Sequence, residues 1–161
     1  MPKIGMRNIK TAVSVALCIA LYQLLKRPYP FYACIAAVIC MRNTHVDTIK
    51  VGKDRMIGTM TGGFIGYIFY RFISYSSIGI GIGISLVIYT LNLMKKQASV
   101  AIACIVFIAV MTNLKGQLPH VYAINRVLDT FIGIIIAAII NNYLDKLPFL
   151  RNLDSNVKKI S

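Results

Sequence analysis

The residues best placed to do chemistry are Arg55, Arg126 and Asp129. Asp129 is the one acid inside a predicted apolar segment; Asp47, Asp54, Asp145 and Asp154 fall at segment edges or in predicted loops. An ionisable group at membrane depth is expensive unless it faces a cavity or a partner, so it is a functional candidate by default. Arg126 and Asp129 are three residues apart and on a helix would share a face, close enough to pair. Two roles stay open for Asp129: a proton-coupling group, or the fixed partner of Arg126. Thr59 and Thr130 each follow one of the arginines by four residues. Their hydroxyls can bond a carbonyl one turn back or face a polar cavity.

These residues belong to a repeat. Arg55-Met-Ile-Gly58-Thr59-Met-Thr-Gly62 and Arg126-Val-Leu-Asp129-Thr130-Phe-Ile-Gly133 match at an offset of 71 residues. The shared pattern is Arg-x-x-(Gly/Asp)-Thr-x-x-Gly, predicted to open the third and the sixth apolar segment. Gly58, Gly62 and Gly66 recur every four residues, and Gly133 and Ala137 keep the same spacing. Such stripes let a second helix approach closely, and packing is their plain reading.

A second candidate region is Arg27-Pro28-Tyr29-Pro30-Phe31-Tyr32, ahead of a short apolar stretch ending at Arg42. Short, proline-interrupted segments expose backbone groups to cavities in transporters. Tyr29 and Tyr32 fit either the flank of an aromatic ligand or an interfacial anchor at a turn.

Other chemistries lack their residues. No G-x-x-x-x-G-K-[ST] motif is present, and Gly79-Ile-Gly81-Ile-Gly83 reads as a packing face. His45 and Asp47 lie two apart in a predicted loop and His120 stands alone, so solvated loop residues are expected and no metal site. No serine has a histidine and acid arranged as a triad. Cys18, Cys34, Cys40 and Cys104 form no C-x-x-C pair and read as small buried residues. Neither an enzyme nor a cofactor is expected.

The elements that hold these residues follow from composition. Hydrophobic residues make up 57% and charged residues 14%, with a mean hydropathy of +0.69. A soluble domain has about a quarter charged residues, so the polar surface for a globule is missing. The charges bunch, and the gaps between them predict six spans near 8–25, 29–43, 55–73, 77–94, 97–114 and 123–144. Lysines and arginines at the ends can snorkel and lengthen the shorter ones. A basic tail, 146–161, follows the membrane domain, 1–145.

Sidedness comes from lysine and arginine counts. Lys3, Arg7, Lys10, Arg42, Lys50, Lys53, Arg55, Lys95, Lys96, Lys146, Arg151, Lys158 and Lys159 fall on one side, thirteen in all. Lys26, Arg27, Arg71, Lys115 and Arg126 make five on the other. The positive-inside rule then predicts cytoplasmic termini, and an even span number agrees. The net charge of +13 is spent on these collars and on anionic lipid; no basic arm or stacking platform points to nucleic acid. Because three spans is an odd number, the repeats 8–73 and 77–144 would be inverted relative to each other. The expected fold is thus an all-α, multi-pass cell-membrane protein built from two inverted three-helix repeats.

Arg7-Asn-Ile-Lys10-Thr11-Ala12, Tyr29-Pro30-Phe31-Tyr32-Ala33 and the two Arg-x-x-(Gly/Asp)-Thr-x-x-Gly segments, in this order, resemble the aromatic acid exporter family. That group includes the fusaric acid resistance proteins and, more remotely, plant aluminium-activated malate channels. The resemblance covers about residues 4–145. It implies a six-helix domain of the bacterial plasma membrane that moves organic anions, typically aromatic carboxylates, out of the cell. It also implies a dimer or higher oligomer. Many such relatives carry a cytoplasmic domain after the sixth span, whereas this sequence ends 16 residues beyond Asp145.

The leading expectation is therefore an organic-anion exporter, with Arg55 near the cytoplasmic mouth and Arg126 near the outer one. A passive anion channel and a non-transporting assembly subunit are the alternatives.

Overall fold

A computed structural model describes residues 6–73, 76–112 and 118–145. The charge collars at Lys3, Lys115, Lys146, Arg151, Lys158 and Lys159, the acid Asp154 and the 146–161 tail lie outside the described residues. Among the described residues there are six α-helices and no strand: α1 (Met6–Leu24), α2 (Phe31–Cys40), α3 (His45–Phe72), α4 (Ser77–Leu93), α5 (Val100–Met111) and α6 (Pro119–Asp145). A short 3-10 turn, Gln97–Ser99, leads into α5.

The helix boundaries have local causes. Pro30 precedes α2, where a ring without an N–H removes no helical bond, and its carbonyl accepts from the Cys34 amide at 2.9 Å. Extended backbone at Met41 ends α2 after only ten residues, about 15 Å. Ser76 caps α4 by accepting from the Gly79 amide at 3.0 Å.

The start of α3 corrects the sequence reading. The helix begins at His45, not near residue 55, because Thr44 caps it. Its Oγ1 accepts from the Asp47 amide at 3.1 Å and donates to Asp47 Oδ2 at 2.6 Å. This is a side-chain N-cap whose hydroxyl is held in turn by the Asp47 carboxylate. His45 and Asp47 are thus helical, not loop residues. The start of α6 shifts likewise: Pro119, suited to a first helical turn, brings His120 into the helix. Arg55 and Arg126 consequently lie inside their helices, ten and seven residues from the starts, not at the openings.

The chain divides into two compact units. One holds the described residues up to Gly52 and those from Phe131 onward; the other is Lys53–Thr130. The first unit packs Cys18 and Tyr22 of α1, Ala33, Ala37 and Cys40 of α2, and Ala137 of α6. Its α1 stripe is Lys10, Ser14, Cys18 and Tyr22, one residue per turn. The second unit packs Ile65 and Phe69 of α3, Val87 and Leu91 of α4, and Ala103, Phe107 and Met111 of α5. Phe69 and Phe107 meet edge to face at 5.6 Å. Of the glycines expected to form a face on α4, Gly79 and Gly83 are buried, and a Cβ on Gly83 would run into the Phe107 ring. Gly81 faces open space.

Large apolar side chains are exposed on every helix, among them Leu17, Phe31, Phe64, Ile82, Ile105 and Ile139. A water-facing surface would be costly in this form; an apolar solvent suits it. Helix α6 over Pro119–Leu144 is long and apolar enough to cross a bilayer, while α2, α4 and α5 with its leading turn are apolar but shorter.

Candidate functional site: two buried arginine stripes

On α3 the residues Arg55, Thr59, Gly62 and Gly66 follow i, i+4, i+7, i+11 spacing and form one helix face. All four are buried. On α6 the residues Arg126, Thr130, Gly133 and Ala137 repeat that spacing and are buried as well. Arg55 is 4% exposed and Arg126 6%, and the Nε and Nη1 atoms of both are out of solvent contact. Neither snorkels to a surface. Lys10 is buried too, so three cations of the expected collars sit inside the protein.

Arg55, Thr59, Arg126, Asp129 and Thr130 all belong to the second unit. Asp129 is 7% exposed, three residues from Arg126 on α6. Each of Arg55, Arg126 and Asp129 engages a polar or electrostatic contact. Thr59 Oγ1 donates to the Arg55 carbonyl at 2.9 Å, the bond one turn back that its spacing allows. Tyr29 and Tyr32 lie in the other unit and part company: Tyr29 is exposed, while Tyr32 is buried with its ring edge on Phe31.

The glycines are packing residues by geometry. A Cβ on Gly62 would collide with the backbone of Ala103 on α5, and one on Gly58 would press on the Ser99 carbonyl. Gly66 lies against Val110 and Phe107 of α5. In the first unit a Cβ on Gly133 would collide with the Ala33 carbonyl and Ala36 of α2. Glycine is required where backbones approach this closely.

Two features escaped the sequence reading. The first is a buried polar network in the first unit. Lys10 Nζ donates to Asn141 Oδ1 at 2.8 Å, and Asn141 Nδ2 donates to Thr48 Oγ1 at 2.7 Å and to the Arg42 carbonyl at 3.1 Å. It ties α1, the α2–α3 connection, α3 and α6 together. Its signal was the one-per-turn stripe that Lys10 shares with Ser14, Cys18 and Tyr22.

The second is a cavity of about 650 Å³ in the second unit. Its walls are Met60, Phe64 and Tyr67 of α3 and Ile124, Val127 and Leu128 of α6, and Gly63 and Ala123 meet at its floor. His120, at one end, stands edge-on to Tyr67 at 6.3 Å. The cavity and the arginine stripes occupy opposite faces of the same two helices, since 60, 64 and 67 are about half a turn from 55, 59 and 62 at 100° per residue.

The six described helices, with buried cations and large apolar side chains exposed on each of them, suit a membrane protein. The model of the family described as "Aromatic acid exporter family member 1" matches residues 2–144, and the chain belongs to that family. It is a family of exporters, not of enzymes. Among curated relatives, the UPF0421 protein YgaE of Bacillus subtilis (strain 168) is 24% identical over 139 residues, covering 86% of this chain and 39% of the relative. YqjA of the same organism is 27% identical over 158 residues, covering 98% of this chain and 48% of its own. A UPF0421 protein of Bacillus cereus (strain ATCC 10987 / NRS 248) is 24% identical over 141 residues, covering 88% and 39%. The chain thus spans half or less of the length of these relatives. No solved structure matches it.

Proposed function

We propose that this chain is the membrane domain of an exporter for organic anions, aromatic carboxylates first among them, in the bacterial plasma membrane. The observation that carries the reading is the pair of buried guanidiniums, Arg55 and Arg126, at equivalent places on two equivalent helix faces. Two permanent cations held inside an apolar domain create a field that favours an anion and rejects a cation. Asp129 beside Arg126 supplies either charge balance or a site for a coupling proton.

In this reading six spans form two inverted repeats, with both termini in the cytoplasm. The contacts support the repeat: Gly62 of α3 meets Ala103 of α5, and Gly133 of α6 meets Ala33 of α2. The first pair maps onto the second at offsets of 71 and 70 residues. Each half's third helix therefore packs on the second helix of the other half, as a two-fold relation between the halves requires. In this reading at least two copies assemble, covering part of the exposed apolar surface.

The test is flux of benzoate and of a similar-sized aromatic cation in proteoliposomes, with and without a proton gradient. Benzoate flux above that of protein-free vesicles, with the cation excluded, is expected. Benzoate flux that never responds to the gradient assigns a passive channel, and no flux assigns an assembly subunit.

A further inference from the structure

We propose that the cavity between α3 and α6 is a seat for one anionic phospholipid, its acyl chain in the apolar slot and its head group at the Tyr67–His120 end. This inference stands apart from the anion path, which uses the opposite faces of the two helices.

The volume of about 650 Å³ lies in the range of ligand sites, and the lining is apolar except at one end. From His120 to Leu128 the slot runs about 12 Å along α6. Its walls stand at the surface, with Phe64 67% and Ile124 58% exposed, so an occupant enters sideways from the bilayer. At the floor a Cβ on Gly63 would lie 3.5 Å from that of Ala123. A slot that closes between touching helices, apolar along its length and flanked by a cation at one end, matches an acyl chain with an anionic head group.

One end of the slot selects charge. Met60, Phe64, Tyr67 and Arg71 follow i, i+4, i+7, i+11 spacing, so Arg71 continues the α3 wall one turn beyond Tyr67. Arg71 is exposed and available to a head group. On α6, His120 offers an imidazole beside the first-turn amides, and that turn holds no acid. A cation at the mouth of an apolar slot matches a lipid with a negative phosphate and no compensating positive group.

The test is native mass spectrometry of delipidated protein offered phosphatidylglycerol or phosphatidylcholine with identical acyl chains. The wild type should retain phosphatidylglycerol about five-fold better, the effect of one arginine near a phosphate. Arg71→Gln should bring the two lipids to near parity. Ala123→Leu, which fills the floor, should lose both, and Phe64→Ala, at an exposed wall, should weaken both without disturbing the packed face. Equal retention of the two lipids by the wild type would overturn the proposal. So would Ala123→Leu and Phe64→Ala variants that hold phosphatidylglycerol as well as the wild type. A switch from dimer to monomer in the wall variants, with lipid retention unchanged, would hand the slot to a second copy instead.

Discussion

Gly62 on α3 sits so close to Ala103 on α5 that a single added methyl group would collide with the Ala103 backbone. Gly133 on α6 stands in the same relation to Ala33 on α2. Neither neighbour can swing aside, because the obstructing atoms are main chain. Gly62→Ala and Gly133→Ala should each destabilise the protein by about 1–3 kcal/mol, the usual penalty of overpacking. Gly81→Ala, in open space on α4, should be neutral or stabilising by up to about 1 kcal/mol through helix propensity. Melting temperatures of the three variants in one detergent check the order.

The Lys10–Asn141–Thr48 network predicts a different pattern. Asn141→Leu removes the acceptor from a buried ammonium and the donor from the Arg42 carbonyl and Thr48 hydroxyl. Its destabilisation should reach about 3 kcal/mol or more, because a buried charge loses a partner. Thr48→Val should fall nearer 1 kcal/mol. Thermal unfolding of both variants tests this, and equal effects would argue against a charged centre to the network.

Thr44 caps a helix that the sequence reading started ten residues too late. Thr44→Ala should destabilise by about 1 kcal/mol, and Thr44→Ser, which keeps the hydroxyl, should restore most of it. Hydrogen exchange at the Asp47 amide should rise in Thr44→Ala and recover in Thr44→Ser.

How much the residues reveal beforehand depends on the kind of signal. Charge bunching and apolar runs place six helices, because leaving a charge in an apolar solvent is a large penalty that composition records directly. Helix ends are less legible. The N-cap at Thr44 was masked by the polar composition of residues 42–55, which resembles a loop. The arginine stripes were visible as a repeat at an offset of 71. Their burial was not, since a basic residue at a predicted membrane edge reads equally as a snorkelling collar. Lys10 was hidden for the same reason. The cavity needed the structure, because its walls come from helices far apart in the chain and its floor depends on how closely they touch.

The role of Asp129 separates by its pH-gradient response. Asp129→Asn should leave benzoate binding intact and remove any dependence of flux on a proton gradient if the carboxylate carries the proton. If Arg126 and Asp129 serve only as an ion pair and neither meets the anion, the exchange Arg126→Asp with Asp129→Arg should preserve insertion and transport. Flux in proteoliposomes with an imposed gradient reads both outcomes.

The measurement that bears most directly on the anion path is benzoate flux in proteoliposomes of Arg126→Gln and Arg126→Lys, with insertion and assembly verified on the same samples. The account predicts that Arg126→Gln abolishes flux in a folded, inserted protein, while Arg126→Lys keeps a measurable part of it. Wild-type flux in Arg126→Gln would contradict the account and make the buried guanidinium a structural group alone.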